Sequence, residues 1–181
     1  GLVMLGLRKH LPTSIRGLLL WGLAPLVCAA ASVFYGLDGY VPTAVVSLGG
    51  NGLLWLGCAL FYFGSQQFYG QAPSWRLWLG VGAACVLAVL YFHVVHVDYR
   101  VRQVLYSLGV SSLLLAHVRL LLRHGQSFPA RYTALVLICQ SAVMLLRALA
   151  SLWIDTAETP RFASSPIHAT YIAAFGLALL L

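Results

Sequence analysis

Arg147 places a positive charge inside a long apolar run near the end of this 181-residue chain. It precedes Trp153, the last residue of that run, by six residues, or about 9 Å at the helical rise of 1.5 Å per residue. An arginine at the centre of a membrane-spanning helix costs roughly 2.5–3.5 kcal/mol on insertion scales. Two interpretations are open: a structural arginine satisfied by helix carbonyls and polar neighbours, or a residue that contacts an anion or lipid headgroup or acts in a switch.

Four further polar residues are predicted at comparable depth, in the outer half of the membrane: Asn51, His93, Ser107 and Gln140. Gln140 precedes Arg147 by seven residues, so the two share one face of a helix. If these helix faces converge, the five residues would line a ligand-binding pocket between helices. The alternative is that they are polar contacts that hold the helices together.

A glycine run, Gly49, Gly50 and Gly52, surrounds Asn51. Glycines weaken a helix, and a broken helix in a membrane usually lines a cavity where solutes bind. Small residues also let two helices approach closely. We favour close packing, and the broken helix remains the alternative.

The sequence carries few groups able to do chemistry. His93 and His96 are three residues apart, but no third ligand follows at a fixed spacing, and we predict no metal site. No nucleophile motif or phosphate loop is present, so no catalytic residue or cofactor is predicted. All four acids lie in loops or at span ends, which argues against an ion-coupled transporter.

The composition indicates a membrane protein. Hydrophobic residues make up 61% of the chain and charged residues only 8%, and mean hydropathy is +0.88. The sequence predicts an all-α transmembrane bundle with five complete spans, at 17–35, 43–64, 77–95, 103–122 and 132–153. Residues 1–7 and 169–181 are predicted partial spans, so we expect a piece of a longer chain. The net charge of +7 is scattered over short loops, which excludes a nucleic-acid partner.

The basic residues predict the orientation of the chain. The loops on one side, counted with the basic end of the span at 103–122, hold Arg8, Lys9, Arg16, Arg76, Arg119, Arg123 and Arg131, and those on the other side hold Arg100, Arg102 and Arg161. Lys and Arg concentrate on the cytoplasmic side of membrane proteins. The N-terminus is therefore predicted outside and the C-terminus in the cytoplasm.

A series of features along the chain resembles a known family. They are the basic Leu-Pro connector at 8–12, Trp21, Asn51, the aromatic segment 61–70, the segment 96–102, Ser107 and the Arg-Ala-Leu at 147–149. Together they resemble the seven-span N-terminal membrane domain that precedes GGDEF catalytic domains in many proteobacterial diguanylate cyclases. The glycine run around Asn51 is denser than that family's pattern.

The resemblance implies a sensory domain of the bacterial inner membrane, active as a homodimer among membrane lipids. It also implies a cytoplasmic cyclase domain after residue 181, which would bind GTP and magnesium. A small-molecule or lipid ligand would bind in the outer half of the bundle, with Arg147 and Asn51 as the leading candidates. The alternatives are a small carrier or channel subunit, and a passive dimerising anchor.

Overall fold

The computed structural model describes residues 16–153, which form five α-helices and no β-strand within that range. The helices are α1 (Leu18–Gly36), α2 (Thr43–Phe68), α3 (Trp75–Val94), α4 (Tyr99–His124) and α5 (Phe128–Trp153). Each is long and apolar enough to cross a membrane. The five complete spans predicted from the sequence are therefore confirmed as helices. The two predicted partial spans, 1–7 and 169–181, lie outside the described residues.

Short connections fold the helices back and forth, so that neighbours in sequence are antiparallel. The contact between Phe63 and Trp75, and the cluster that contains Leu121 and Ala134, show this direction for two of the pairs. α1 packs mainly on α2, and α5 packs mainly on α4. α3 contacts both α2 and α4, which also contact each other. α2 and α4 are therefore the central helices of the bundle.

The α1–α2 contact is made by side chains of α1 that rest on glycines of α2. Three such pairs follow one another at seven-residue intervals along both helices: Trp21 on Gly64, Cys28 on Gly57, and Tyr35 on Gly50. A Cβ atom added at any of these glycines would lie 2.3–2.7 Å from the facing side chain. We call these three pairs the glycine seam.

The packing in the glycine seam decides between the two interpretations of the glycine run around Asn51, close packing or a broken helix. α2 is one unbroken helix from Thr43 to Phe68. Gly49 and Gly50 receive the rings of Phe34 and Tyr35. The close-packing interpretation is therefore confirmed, and the broken-helix alternative is wrong, because packing against α1 offsets the weak helix propensity of glycine.

Trp55 of α2 occupies the centre of the bundle in a space left by small residues. Its ring lies against Gly82 of α3 and Gly109 of α4, and its Nε1 donates to the carbonyl oxygen of Trp78 at 3.2 Å. The ring is 3% exposed, and Phe63, two turns further along α2, is completely buried. The core therefore forms where α2, α3 and α4 meet.

Candidate functional site

Tyrosine hydroxyls from two helices bond to one asparagine in the half of the bundle where α2 and α4 begin, and an arginine of α5 lies at a similar depth. The Tyr35 hydroxyl of α1 donates to Oδ1 of Asn51 on α2 at 2.7 Å. The Tyr106 hydroxyl of α4 donates to the backbone oxygen of Asn51 at 2.9 Å. Arg147 of α5 lies close enough to both tyrosines to act on them electrostatically. We call Tyr35, Asn51, Tyr106 and Arg147 the polar layer.

The depth of the polar layer follows from the positions of its residues along their helices. Asn51 lies eight residues after Thr43, and Tyr106 lies seven residues after Tyr99. At 1.5 Å per residue both are about 10–12 Å from the start of their helices. Arg147, six residues before Trp153, is at matching depth on the antiparallel α5. Two of the predicted site residues, Asn51 and Arg147, thus lie at a similar depth on different helices.

The amide of Asn51 is engaged within the protein. Its Oδ1 accepts from Tyr35, and its Nδ2 donates to the Ser47 hydroxyl one turn earlier at 3.3 Å. Its backbone oxygen also accepts the Tyr106 bond. Asn51 therefore orients both tyrosines, and a ligand that needed the amide would have to displace one of these bonds.

Two other predicted residues, Ser107 and Gln140, lie in the α4–α5 contact. Ser107 is completely buried, and its hydroxyl accepts from Nε2 of Gln103 at 3.0 Å. Gln140 is 4% exposed, and its Nε2 has no hydrogen-bond partner among the described residues. The Oγ of the next residue, Ser141, is buried and lacks a partner in the same way.

His93 lies apart from the polar layer, in the last turn of α3. Its Nδ1 is in hydrogen-bond contact with the Arg102 guanidinium, which also lies over the Tyr99 ring at 5.2 Å from the centroid. Asp98, the next acid in sequence, caps α4 by accepting from the backbone N–H groups of Arg100 and Val101. Among the described residues, no three potential metal ligands come together.

The sequence interpretation did not name the two tyrosines of the polar layer. Tyr35 follows Trp21 and Cys28 at seven-residue intervals, and this repeat was a usable signal for a packed helix face. Tyr106 carried no such signal, because an aromatic residue in an apolar run is ordinary core material.

A second buried polar cluster, also not predicted, lies toward the opposite end of the bundle. Nε2 of His117 is 2.8 Å from the Ser65 hydroxyl, and Nε1 of Trp21 donates to the same hydroxyl at 3.3 Å. Ser65 and His117 are 3% and 5% exposed. This cluster joins α1, α2 and α4, and its members are hydrogen-bonded to one another, so a structural role fits it best.

Comparisons with protein families, with curated proteins and with solved structures found no match to this chain. The chemistry of the polar layer is therefore the basis for a functional argument. Tyrosine hydroxyls and a guanidinium are hydrogen-bond donors, and a guanidinium also binds anions. Such a group of side chains suits recognition of a ligand rather than a covalent reaction.

Proposed function

We propose that this chain is a membrane-embedded sensory domain that regulates a cytoplasmic diguanylate cyclase in the bacterial inner membrane. The observation that carries the proposal is the polar layer, in which hydrogen bonds link α1, α2 and α4 at a depth similar to that of Arg147 on α5. Polar residues inside membrane helices are expensive and usually mark functional sites. The link to a cyclase rests on the family resemblance described above.

The polar layer offers a way to convert binding into a change of helix packing. Tyr35 and Tyr106 both donate hydrogen bonds to Asn51, so these bonds connect α1 and α4 to the same residue of α2. A ligand that accepted a hydrogen bond from either tyrosine would compete with Asn51 for that donor. Such a ligand shifts the bundle only if it binds the two packings with different affinity.

The distribution of charge supports the proposed orientation. Among the described residues, the end where α1, α3 and α5 begin carries exposed arginines at positions 16, 76, 119, 123 and 131. We call this the basic end. The opposite end carries Asp38 and Asp98 together with two arginines. One of them, Arg102, is half-buried against Tyr99 and His93. The basic end is proposed to face the cytoplasm, with the N-terminus outside and the polar layer in the outer half.

The remaining elements of the proposal come from the resemblance. The regulated domain would follow residue 181 and would bind GTP and magnesium. Two copies would associate, because two GGDEF domains must meet to join two GTP molecules. The carrier alternative relied on a break in the second predicted span, and α2 has no such break.

The experiment compares full-length protein carrying Arg147→Gln with the wild type and with Arg131→Gln, a control for loss of an exposed arginine at the basic end. Cyclic di-GMP is measured in cells grown under a set of different conditions, with membrane levels of each protein checked. We expect Arg147→Gln to abolish the difference in cyclic di-GMP between conditions. Arg131→Gln is expected to preserve it.

Equal responses from the Arg147→Gln and wild-type proteins would refute a sensory role for the polar layer. Replacement of residues 1–181 by an unrelated dimeric membrane anchor tests the passive-anchor alternative. The sensory proposal predicts that this replacement leaves a cyclase whose output no longer depends on conditions. Absence of any cyclic di-GMP synthesis by the wild-type protein would refute the cyclase assignment itself.

A further inference from the structure

Gln140 carries an unused hydrogen-bond donor near the middle of α5, deeper than the outer-half position predicted for it. It lies twelve residues after Phe128 and thirteen before Trp153, which places it about 18–20 Å from either end of α5. The residue is 4% exposed, and its Nε2 has no hydrogen-bond partner among the described residues. A buried amide without a partner is unfavourable, and in hydrocarbon no bulk water is available to compensate.

The hydroxyl of Ser141 is the second unused group at this level. Its Oγ is buried without a partner, although serine in a helix can bond to the carbonyl one turn back. The backbone oxygen of Ser141 already accepts from Ser111 of α4 at 3.4 Å. The glutamine of α4, Gln103, is bonded to Ser107 and is therefore not the missing partner.

The surroundings of these two groups are apolar. Leu137 and Met144, about one turn before and after Gln140, pack against the core cluster that contains Trp55. The outward face of α5 exposes leucines to the bilayer, among them Leu146 and Leu149. A molecule that reaches Gln140 would thus cross apolar surface and must itself be largely apolar.

We propose that Nε2 of Gln140 binds the carbonyl oxygen of a neutral, lipid-soluble molecule. The inference rests on the proposed sensory function, to which it adds the chemical class of the ligand. A carbonyl oxygen has two lone pairs and no donor, so it can accept from the Gln140 amide and leaves no new donor unpaired. A water molecule would bring two further donors that need acceptors in an apolar environment.

The first experiment measures thermal unfolding of the purified protein in dodecyl maltoside, a detergent without carbonyl groups. The probes are 2-undecanone and undecane, which share a chain length and differ by the carbonyl oxygen. We expect the ketone to raise the Tm of the wild type by several degrees at saturation, because a ligand stabilises the state that it binds. Undecane is expected to have a much smaller effect.

The variants are Gln140→Met, which keeps the length of the side chain but removes the donor, and the matched control Gln103→Met. Gln140→Met is expected to retain or raise the Tm without probe and to lose the ketone effect. Gln103→Met, which removes a satisfied hydrogen bond, is expected to lower the Tm and keep the ketone effect.

An infrared measurement keeps the test independent of folding stability. The carbonyl stretch of ¹³C-labelled 2-undecanone should move to lower frequency with wild-type protein and stay at its micelle value with Gln140→Met. Equal ketone effects in both proteins, or none in either, would overturn the proposal. So would a lower Tm for Gln140→Met without probe, which would reveal a bound water. None of these readouts involves cyclic di-GMP, so failure of the cyclase assignment would be seen separately.

Discussion

The glycine seam makes a sharp prediction for the substitution Gly57→Ala. A Cβ atom at position 57 would lie 2.3 Å from Sγ of Cys28 and 3.3 Å from the backbone oxygen of Ala24. Carbon atoms in ordinary contact are separated by about 3.5–4.0 Å. The first distance is therefore too short by about 1.2 Å, and α1 must move away from α2 or Cys28 must change its rotamer.

The expected cost can be estimated from general packing energetics. Forcing an extra methyl group into a well-packed contact costs about 1–3 kcal/mol. Cys28→Ala alone removes one buried sulfur atom, at a cost of about 1 kcal/mol by analogy with other small core deletions. In the double variant the sulfur is absent, so the closest remaining approach is the 3.3 Å to the Ala24 oxygen. The double variant should therefore be more stable than Gly57→Ala alone.

The assay is a double-mutant cycle on the free energy of unfolding, measured by titrating SDS into mixed micelles. We expect a coupling energy of about 1–2 kcal/mol between positions 57 and 28, within the range for residues in direct contact. Gly80→Ala is the control, because an added Cβ there meets nothing within 4 Å. It should change stability by less than about 1 kcal/mol.

Two results would refute this reasoning. If Gly57→Ala is tolerated as well as Gly80→Ala, the two helices do not approach as closely as described. If Cys28→Ala lowers the stability of the Gly57→Ala variant by the same amount as it lowers that of the wild type, the two side chains do not compete for one space.

Two other substitutions test the hydrogen bonds that hold the helices in place. Tyr35→Phe removes the donor to Oδ1 of Asn51. The free energy of unfolding should fall by about 1 kcal/mol, as for other hydrogen bonds between membrane helices. No change in the free energy of unfolding would show that this bond does not stabilise the bundle. Asp98→Ala removes the side-chain cap of α4 and should lower the free energy of unfolding by about 0.5–2 kcal/mol. Asp98→Asn should keep most of the stability, because asparagine caps a helix equally well. Equal losses of stability in the two variants would contradict the capping role.

The five helices could be predicted from the sequence, and most of their first and last residues lie close to the predicted ones. A run of about 20 apolar residues can satisfy its backbone in a bilayer only as a helix. α2 continues to Phe68, beyond the predicted end at 64, and α4 begins at Tyr99 rather than 103. Both extensions contain polar residues such as Gln66 and Arg100, which hydropathy alone assigns to loops although they continue the helix.

The depth of the candidate site could be predicted from the sequence, but only some of the residues that form it could be. Counting residues from the helix ends places Asn51 and Arg147 at one level, and the helix bounds of the structure give them a similar depth. Tyr35 and Tyr106 were missed, because their polarity is confined to one hydroxyl at the end of an apolar ring. His93 is at the end of its helix and bonds to Arg102 instead.

The sequence by itself determined that this chain forms helices long and apolar enough to span a membrane, and how far along its own helix each polar residue lies. Both properties depend on local quantities, namely the length of an apolar run and the rise per residue. Only the tertiary structure decided which faces meet. The rotation of each helix about its axis follows from packing between distant residues, such as Tyr35 on Gly50 and Trp55 between Gly82 and Gly109. That packing brought Tyr35 and Tyr106 to Asn51 and left the amide of Gln140 without a partner among the described residues.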